Sequence, residues 1–148
     1  KLFKMKIEIL PGIWISDSEN LDSQFLEEKM INKLINIKTD LSFLGSGNKY
    51  HDMIRENMEK YEILKLVNYL KDITKFMKES VSHSENILIY SDPSFKKSPI
   101  LILAYLIRYG LVNIEIAIEM IRTKIIDAFK PTLEYENAIK LFSEAVKK

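Results

Sequence analysis

The chain has no cysteine among its 148 residues, and only two histidines, one tryptophan, four prolines and four glycines. Without cysteine there is no disulfide, no thiolate nucleophile and no thiolate ligand for a metal. His51 and His83 stand apart from each other and from any cluster of carboxylates, so no metal-site pattern is present and no cofactor is expected. No apolar run approaches the roughly 18 residues of a membrane span, and no signal-peptide pattern opens the chain. An excess of one charge is missing too. Twenty-two Lys and Arg against 21 Asp and Glu leave a formal net charge of +1, which argues for neither a nucleic-acid nor a membrane partner. These absences fit an intracellular, reducing compartment, cytoplasmic or nuclear. The opening lysine in place of methionine is the mark expected of a piece cut from a longer protein.

What is present is ordinary for a folded globular chain: 47% hydrophobic and 29% charged residues. At this length, residues 1–148 are expected to form one domain that buries about two-thirds of its unfolded surface. No internal repeat and no low-complexity segment breaks it up.

Lys6-Ile-Glu-Ile-Leu10 alternates as a half-buried strand does, Pro11-Gly12 marks a turn, and Ile13-Trp14-Ile15 reads as the returning strand. Asp17 or Ser18 is placed to cap a helix running to about Met30, with Leu21, Phe25, Leu26 and Met30 on one face. Leu34 to Ile37 reads as a short buried strand, and Gly45-Ser-Gly-Asn48 as a loop. From Tyr61 to Ser82, Leu66, Val67, Leu70, Ile73, Phe76, Met77 and Val81 recur at helical spacing. Asn113 is a cap for a helix carrying Ile114, Ala117, Ile118 and Ile121. Pro131-Thr132 opens a last amphipathic helix with Tyr135, Ile139, Phe142 and Val146 inward. With strands early, helices late and a strand–helix–strand crossover, the class is α/β: a small central, mostly parallel sheet flanked by helices.

The most informative stretch is Ile87-Leu-Ile-Tyr-Ser91-Asp-Pro-Ser-Phe-Lys-Lys97-Ser98-Pro99, followed by the apolar run Ile100 to Ile107. It reads as a buried strand over Ile87 to Tyr90, a tight loop, and a helix from Pro99 to about Tyr109 that stops at Gly110. The start of that helix is expected to point back at the loop. Ser98 is in place to cap it.

This strand–loop–helix resembles the phosphate cradle of the dual-specificity phosphatases, in the protein tyrosine phosphatase superfamily, whose pattern is His-Cys-x-x-Gly-x-Ser-Arg-Ser-Pro. The resemblance covers nearly the whole chain. Ile9-Leu-Pro-Gly-Ile-Trp-Ile-Ser looks like the family's first hairpin, and Lys33-Leu-Ile-Asn-Ile37 like its Val-Leu-Asn-Val strand. Ala104-Tyr-Leu-Ile, Glu115 to Arg122 and Lys130-Pro-Thr132 are similar to its later helices and the turn between them. The resemblance implies the dual-specificity phosphatase fold.

It also implies a missing chemistry. The family attacks phosphate with a thiolate whose pKa is lowered by the helix dipole and converging amides. The matching residue is Ser91, whose hydroxyl stays protonated near neutral pH and needs a base. Tyr90 stands where the family has histidine. The arginine that grips two phosphate oxygens through its planar fork is replaced by Lys97, a point charge on a flexible stem. Lys96 and Lys97 read either as solvated surface lysines or as a pair that still attracts an anion. Pro93 removes one backbone donor, and Ser94 takes the place of the loop glycine. Tyr50 to Asn57 resembles the family's Tyr-x-x-Ile-Pro-Ile-x-Asp, which puts Asn57, an amide, at the position of the general acid. Asp52, Glu56 or Glu59 in that role would need a different loop path.

Ser91, Lys97 and Asn57 are thus degenerate catalytic positions. The segment Ser91, Asp92, Pro93, Ser94, Phe95, Lys96, Lys97 and Ser98 is the vestige of the phosphate loop. The pattern implies a catalytically dead, STYX-type pseudophosphatase serving as an interaction or scaffold module for a protein partner, with a kinase or phosphoprotein in view. The alternatives are a module that reads phosphoserine, phosphothreonine or phosphotyrosine without hydrolysis, and a residual weak phosphatase.

Overall fold

The structure, a computed structural model, describes residues 6–17, 21–37, 60–91, 97–130 and 133–147, with Ser91 described by its backbone. The elements in chain order are β1 (Lys6–Leu10), β2 (Ile13–Asp17), α1 (Ser23–Glu28), β3 (Ile31–Asn36), α2 (Lys60–Ser82), β4 (Asn86–Ser91), α3 (Ser98–Tyr109), α4 (Ile114–Arg122) and α5 (Glu136–Val146). The sheet order is β1-β2-β4-β3. The β1–β2 pair is antiparallel, whereas β4 runs parallel to both β2 and β3. The mostly parallel sheet with flanking helices is the class expected from the sequence.

The tight turn between β1 and β2 needs Gly12, which sits at φ +80°. Its N–H donates to Glu8 Oε2 at 3.0 Å, and its carbonyl accepts from Ile87 N at 2.8 Å. The hairpin is thereby tied to the start of β4. At the same end, Asn86 holds β3 to β4: its N–H donates to Asn32 Oδ1 at 2.9 Å and its amide nitrogen reaches the carbonyls of Lys29 and Met30, each at 3.1 Å.

Alternation divides the sheet into two faces. Ile13, Ile15, Ile35, Ile87 and Ile89 point into the main core, where Leu66, Val67, Leu70 and Met77 of α2 meet them. Every residue of α3 from Ser98 to Ala104 is buried, because that helix lies among α2, α4 and α5. Phe142 of α5 is fully buried in the same cluster. Arg108, near the end of α3, reaches back to α2. Its Nη1 donates to the Lys71 carbonyl at 2.8 Å and to Thr74 Oγ1 at 3.1 Å, and Thr74 Oγ1 in turn donates to the Leu70 carbonyl at 2.7 Å.

The opposite face carries Trp14, Leu88 and Leu34 side by side in register. Phe25 of α1 packs edge-on against Trp14, with ring centroids 5.3 Å apart. Lys6 Nζ sits 4.9 Å over the Phe25 ring and bonds Asp22 Oδ2 at 3.1 Å.

Several boundaries differ from the sequence reading. The first helix is capped not by Asp17 or Ser18 but by Asp22, whose Oδ1 accepts from Phe25 N at 2.8 Å. Asp17 is the last residue of β2, because pairing with β4 continues the parallel ladder through it. Met30 falls outside the helix, at φ 53° and 69% exposed, so it does not join the apolar face. Phe76 of α2 lies at the rim of the core, with Lys33 Nζ 5.6 Å from its ring centroid. Asn113 caps α4 as expected, its Oδ1 accepting from Ile116 N at 2.8 Å. Gly110 ends α3, but at φ −83°; the left-handed residue is Leu111 at φ 57°. A Cβ on Gly110 would lie 2.7 Å from the Leu106 carbonyl oxygen, so close approach, not backbone handedness, selects glycine there. Pro131-Thr132 and the Gly45 to Asn48 segment lie outside the described residues.

Candidate functional site

Two parallel strands, β2 and β4, end together at one edge of the sheet, with Asp17 the register partner of Ser91. In parallel α/β sheets this is the edge where ligands bind, outside the carboxyl ends of the strands. The chain leaves Ser91 and re-enters the described structure at Lys97, where α3 begins. The strand-then-helix order expected around the vestigial loop is therefore present, and the degenerate nucleophile position stands at the end of the central strand.

At the start of α3, Lys97 occupies the cap position at φ −101° and ψ −26° and makes no side-chain cap hydrogen bond. Ser98 is the first helical residue, fully buried, so it does not serve as the cap the sequence suggested. Pro99 fills the first turn, where a missing N–H costs no helical bond. Lys97 is only 9% exposed. That removes the reading of this residue as a solvated surface lysine. A buried ammonium is costly unless something polar answers it, and neither Lys97 nor Ser98 is without a partner.

The sequence reading passed over Asp17. It is 2% exposed, and Ser16 beside it is fully buried, its hydroxyl donating to the Asp17 carbonyl at 2.9 Å. The alternation of Ile13, Ile15 and Asp17 places the residue on the face that α3 covers. Extending that alternation by two residues would have found it. Asp17 also has a partner. Asp17 at the end of β2 and Lys97 at the start of α3 are thus both buried residues.

Asn57, Lys96 and the loop residues Asp92, Pro93, Ser94 and Phe95 lie outside the described residues, as do Asp52, Glu56, Glu59 and His51. His83, just past α2, is exposed, with Nδ1 2.7 Å from the Glu79 carbonyl oxygen, and precedes the start of β4, the opposite end of that strand from Ser91. Among the described residues no group of three His, Cys, Asp or Glu is placed to hold a metal, and no helix is long and apolar enough to cross a membrane. An apolar cleft of about 230 Å³ lined by Ile9, Leu10, Ile102, Leu106, Met120, Ile121 and Thr123 opens beside β1. Because Leu10 pairs with Ile13, at the start of β2, this cleft lies toward the other end of the sheet from Asp17 and Ser91.

Solved structures share this architecture at low identity. A mouse putative dual specificity phosphatase complexed with zinc tungstate superposes with a TM-score of 0.72 at 15% identity, covering 97% of this chain and 89% of that one. A human tyrosine phosphatase-like serine/threonine/tyrosine-interacting protein gives a TM-score of 0.69 at 13% identity, covering 97% and 98%. A leucine rich repeat and phosphatase domain containing protein from Entamoeba histolytica gives 0.70 at 18% identity, covering 95% and 91%. No curated protein matches the sequence. The family model of the dual specificity phosphatase catalytic domain matches residues 13–145. With no cysteine anywhere in the chain, the nucleophile of that family's reaction is absent. The chain belongs to the dual specificity phosphatase catalytic-domain family.

Proposed function

We propose that the protein is a catalytically inactive phosphatase-like domain that works as an interaction or scaffold module. Its partner would be a protein, with a kinase or phosphoprotein the class in view, met in the cytoplasm or nucleus. This reading takes residues 1–148 as one domain. One observation carries it: Ser91 ends the central strand β4 in a chain without cysteine.

The physical argument follows from what each substitution removes. A serine hydroxyl is a weak nucleophile at neutral pH unless a base accepts its proton. A lysine cannot form the two parallel bonds by which an arginine fork holds a phosphoryl group in its transition state. An amide at Asn57 has no acidic proton for a leaving alkoxide. Each loss alone lowers the rate by orders of magnitude, and together they leave the fold without its reaction. What the fold retains is a rigid sheet and an outer surface. A structure of similar fold bears the name of an interacting protein, which supports the same reading.

A phosphate-reading module is the second reading, favoured by Lys97 at the start of α3, where helix amides and a cation meet. Titration calorimetry with paired phosphorylated and unphosphorylated peptides, using phosphoserine, phosphothreonine and phosphotyrosine, separates the two. Heat confined to the phosphorylated peptides and lost in Lys97→Met identifies a reader. For the interaction module, a purified kinase or phosphoprotein partner binds the natural protein and the Lys97→Met variant alike.

A further inference from the structure

We propose that the outer edge of β1 pairs two copies of this chain, strand against strand, about a two-fold axis at Ile7. β1 ends the sheet order β1-β2-β4-β3, so no described strand pairs with its outer side. Such an edge is a template for a further strand.

Successive residues of an antiparallel strand turn their main-chain groups alternately to one side and the other. The Glu8 carbonyl accepts from Lys124 Nζ, just past α4, at 2.9 Å, so Glu8 turns its main-chain groups away from β2. By the same alternation Lys6 turns outward, while Ile7 turns inward opposite Ile15. Lys124 is a flexible side chain, and a carbonyl oxygen accepts two bonds, so the edge remains open to a main-chain donor.

The charges select the occupant. Lys6 and Glu8 lie two residues apart on one face of the strand, with the partly buried Ile7 between them on the other. An antiparallel pairing about Ile7 sets Lys6 of each copy opposite Glu8 of the partner subunit. Each such pair exchanges both of its main-chain bonds and brings opposite charges side by side. Ile7 meets Ile7 of the partner subunit as a non-hydrogen-bonded pair, the closer of the two kinds. Lys6 Nζ bonds Asp22 Oδ2 at 3.1 Å and Glu8 Oε2 accepts from Gly12 N at 3.0 Å, which holds both charges beside the strand and leaves each with bonding positions to spare. Met120, 41% exposed, lines the cleft with Ile9 and Leu10 and adds apolar surface beside the same edge. The other edge strand, β3, has Lys33 as its single charge, so no two-fold register gives it opposite charges. The contact along β1 is short, and the dimer is therefore weak and concentration-dependent.

Sedimentation velocity over a concentration series up to about 1 mM, with amide exchange followed by NMR, tests the pairing. The natural protein should show a reversible monomer–dimer equilibrium. Exchange at the Lys6 and Glu8 amides should slow as concentration rises, while Ile7 stays unchanged. Lys6→Glu and Glu8→Lys each set like charges opposite one another twice by symmetry, and each should weaken association about tenfold or more. The double variant Lys6→Glu/Glu8→Lys restores opposite charges in the same register and should recover the dimer. A natural protein that stays monomeric throughout the series overturns the proposal, as does a folded double variant that associates no better than the single ones. Should a variant fail to fold, the natural protein decides: exchange at Lys6 and Glu8 that ignores concentration contradicts the pairing.

Discussion

Asp17 and Ser91 close adjacent parallel strands as register partners, with the aspartate almost fully buried. In an active member of the family this edge presents a thiolate to a phosphoester. Here a hydroxyl-bearing residue stands at the nucleophile position and a carboxylate beside it. The same β4 and α3 that carry the resemblance also hold the residues that contradict the reaction, which is how a fold outlives its chemistry.

The degenerate positions can be repaired on paper. Combining Ser91→Cys, Ser94→Gly and Lys97→Arg restores nucleophile, loop glycine and fork. We expect at most weak turnover of a fluorogenic phosphoester, because Asn57 still lacks an acidic proton and Tyr90 still replaces the family's histidine. Robust activity in that variant would mean that the acid is supplied from elsewhere in the chain.

Arg108 links α3 to α2 through the Lys71 carbonyl and the Thr74 hydroxyl. Arg108→Met keeps most of the apolar stem and removes two charge-assisted bonds. The expected loss is about 1–3 kcal/mol of unfolding free energy, read by urea denaturation. Thr74→Val should cost less, since it leaves Arg108 bound to the carbonyl.

Leu111 holds a left-handed backbone while 86% exposed, so it bears strain without burying surface. Leu111→Gly relieves about 1–2 kcal/mol of that strain and gives back part of it in unfolded-chain entropy. A net gain of about 0.5–1 kcal/mol in thermal or denaturant unfolding is expected. The same exchange at Asn113 would remove the cap of α4 and lower stability instead.

The Phe25 N–H first, and the Lys6 ammonium second, hold the Asp22 carboxyl below its ordinary value of 3.8. A carboxylate whose folded pKa lies below its unfolded one stabilises above the unfolded value, and that contribution is lost as pH falls through the folded pKa. Asp22→Asn keeps an acceptor for the cap and removes the charge. It should therefore melt lower than the natural protein at neutral pH, and the gap should close in acid below the ordinary carboxylate range.

The sequence made the scaffold legible where one periodicity acted alone. The all-apolar β4, the long α2 and the proline-started, glycine-stopped α3 each follow from local pattern, as does the Asn113 cap. The errors fell where tertiary pairing overrode a local signal. Asp17 carries a good cap residue's chemistry, yet the ladder with β4 holds it in a strand and Asp22 caps the helix. Ser98 likewise has the chemistry of a cap, but burial draws it inside α3. Lys97 belongs to a side-chain type that is seldom buried, so only the packing of α3 beneath the sheet edge could reveal it. Of the site, the loss of the nucleophile was readable from one residue type and the burial of Asp17 from the alternation of β2, while the burial of Lys97 was not.

The most direct measurement is turnover of a fluorogenic phosphoester by the natural protein and by Ser91→Ala, at matched concentration with an active dual-specificity phosphatase as control. The account predicts no hydrolysis above the buffer rate for either protein. Turnover by the natural protein that disappears in Ser91→Ala would contradict it, since the hydroxyl at the end of β4 would then be a working nucleophile.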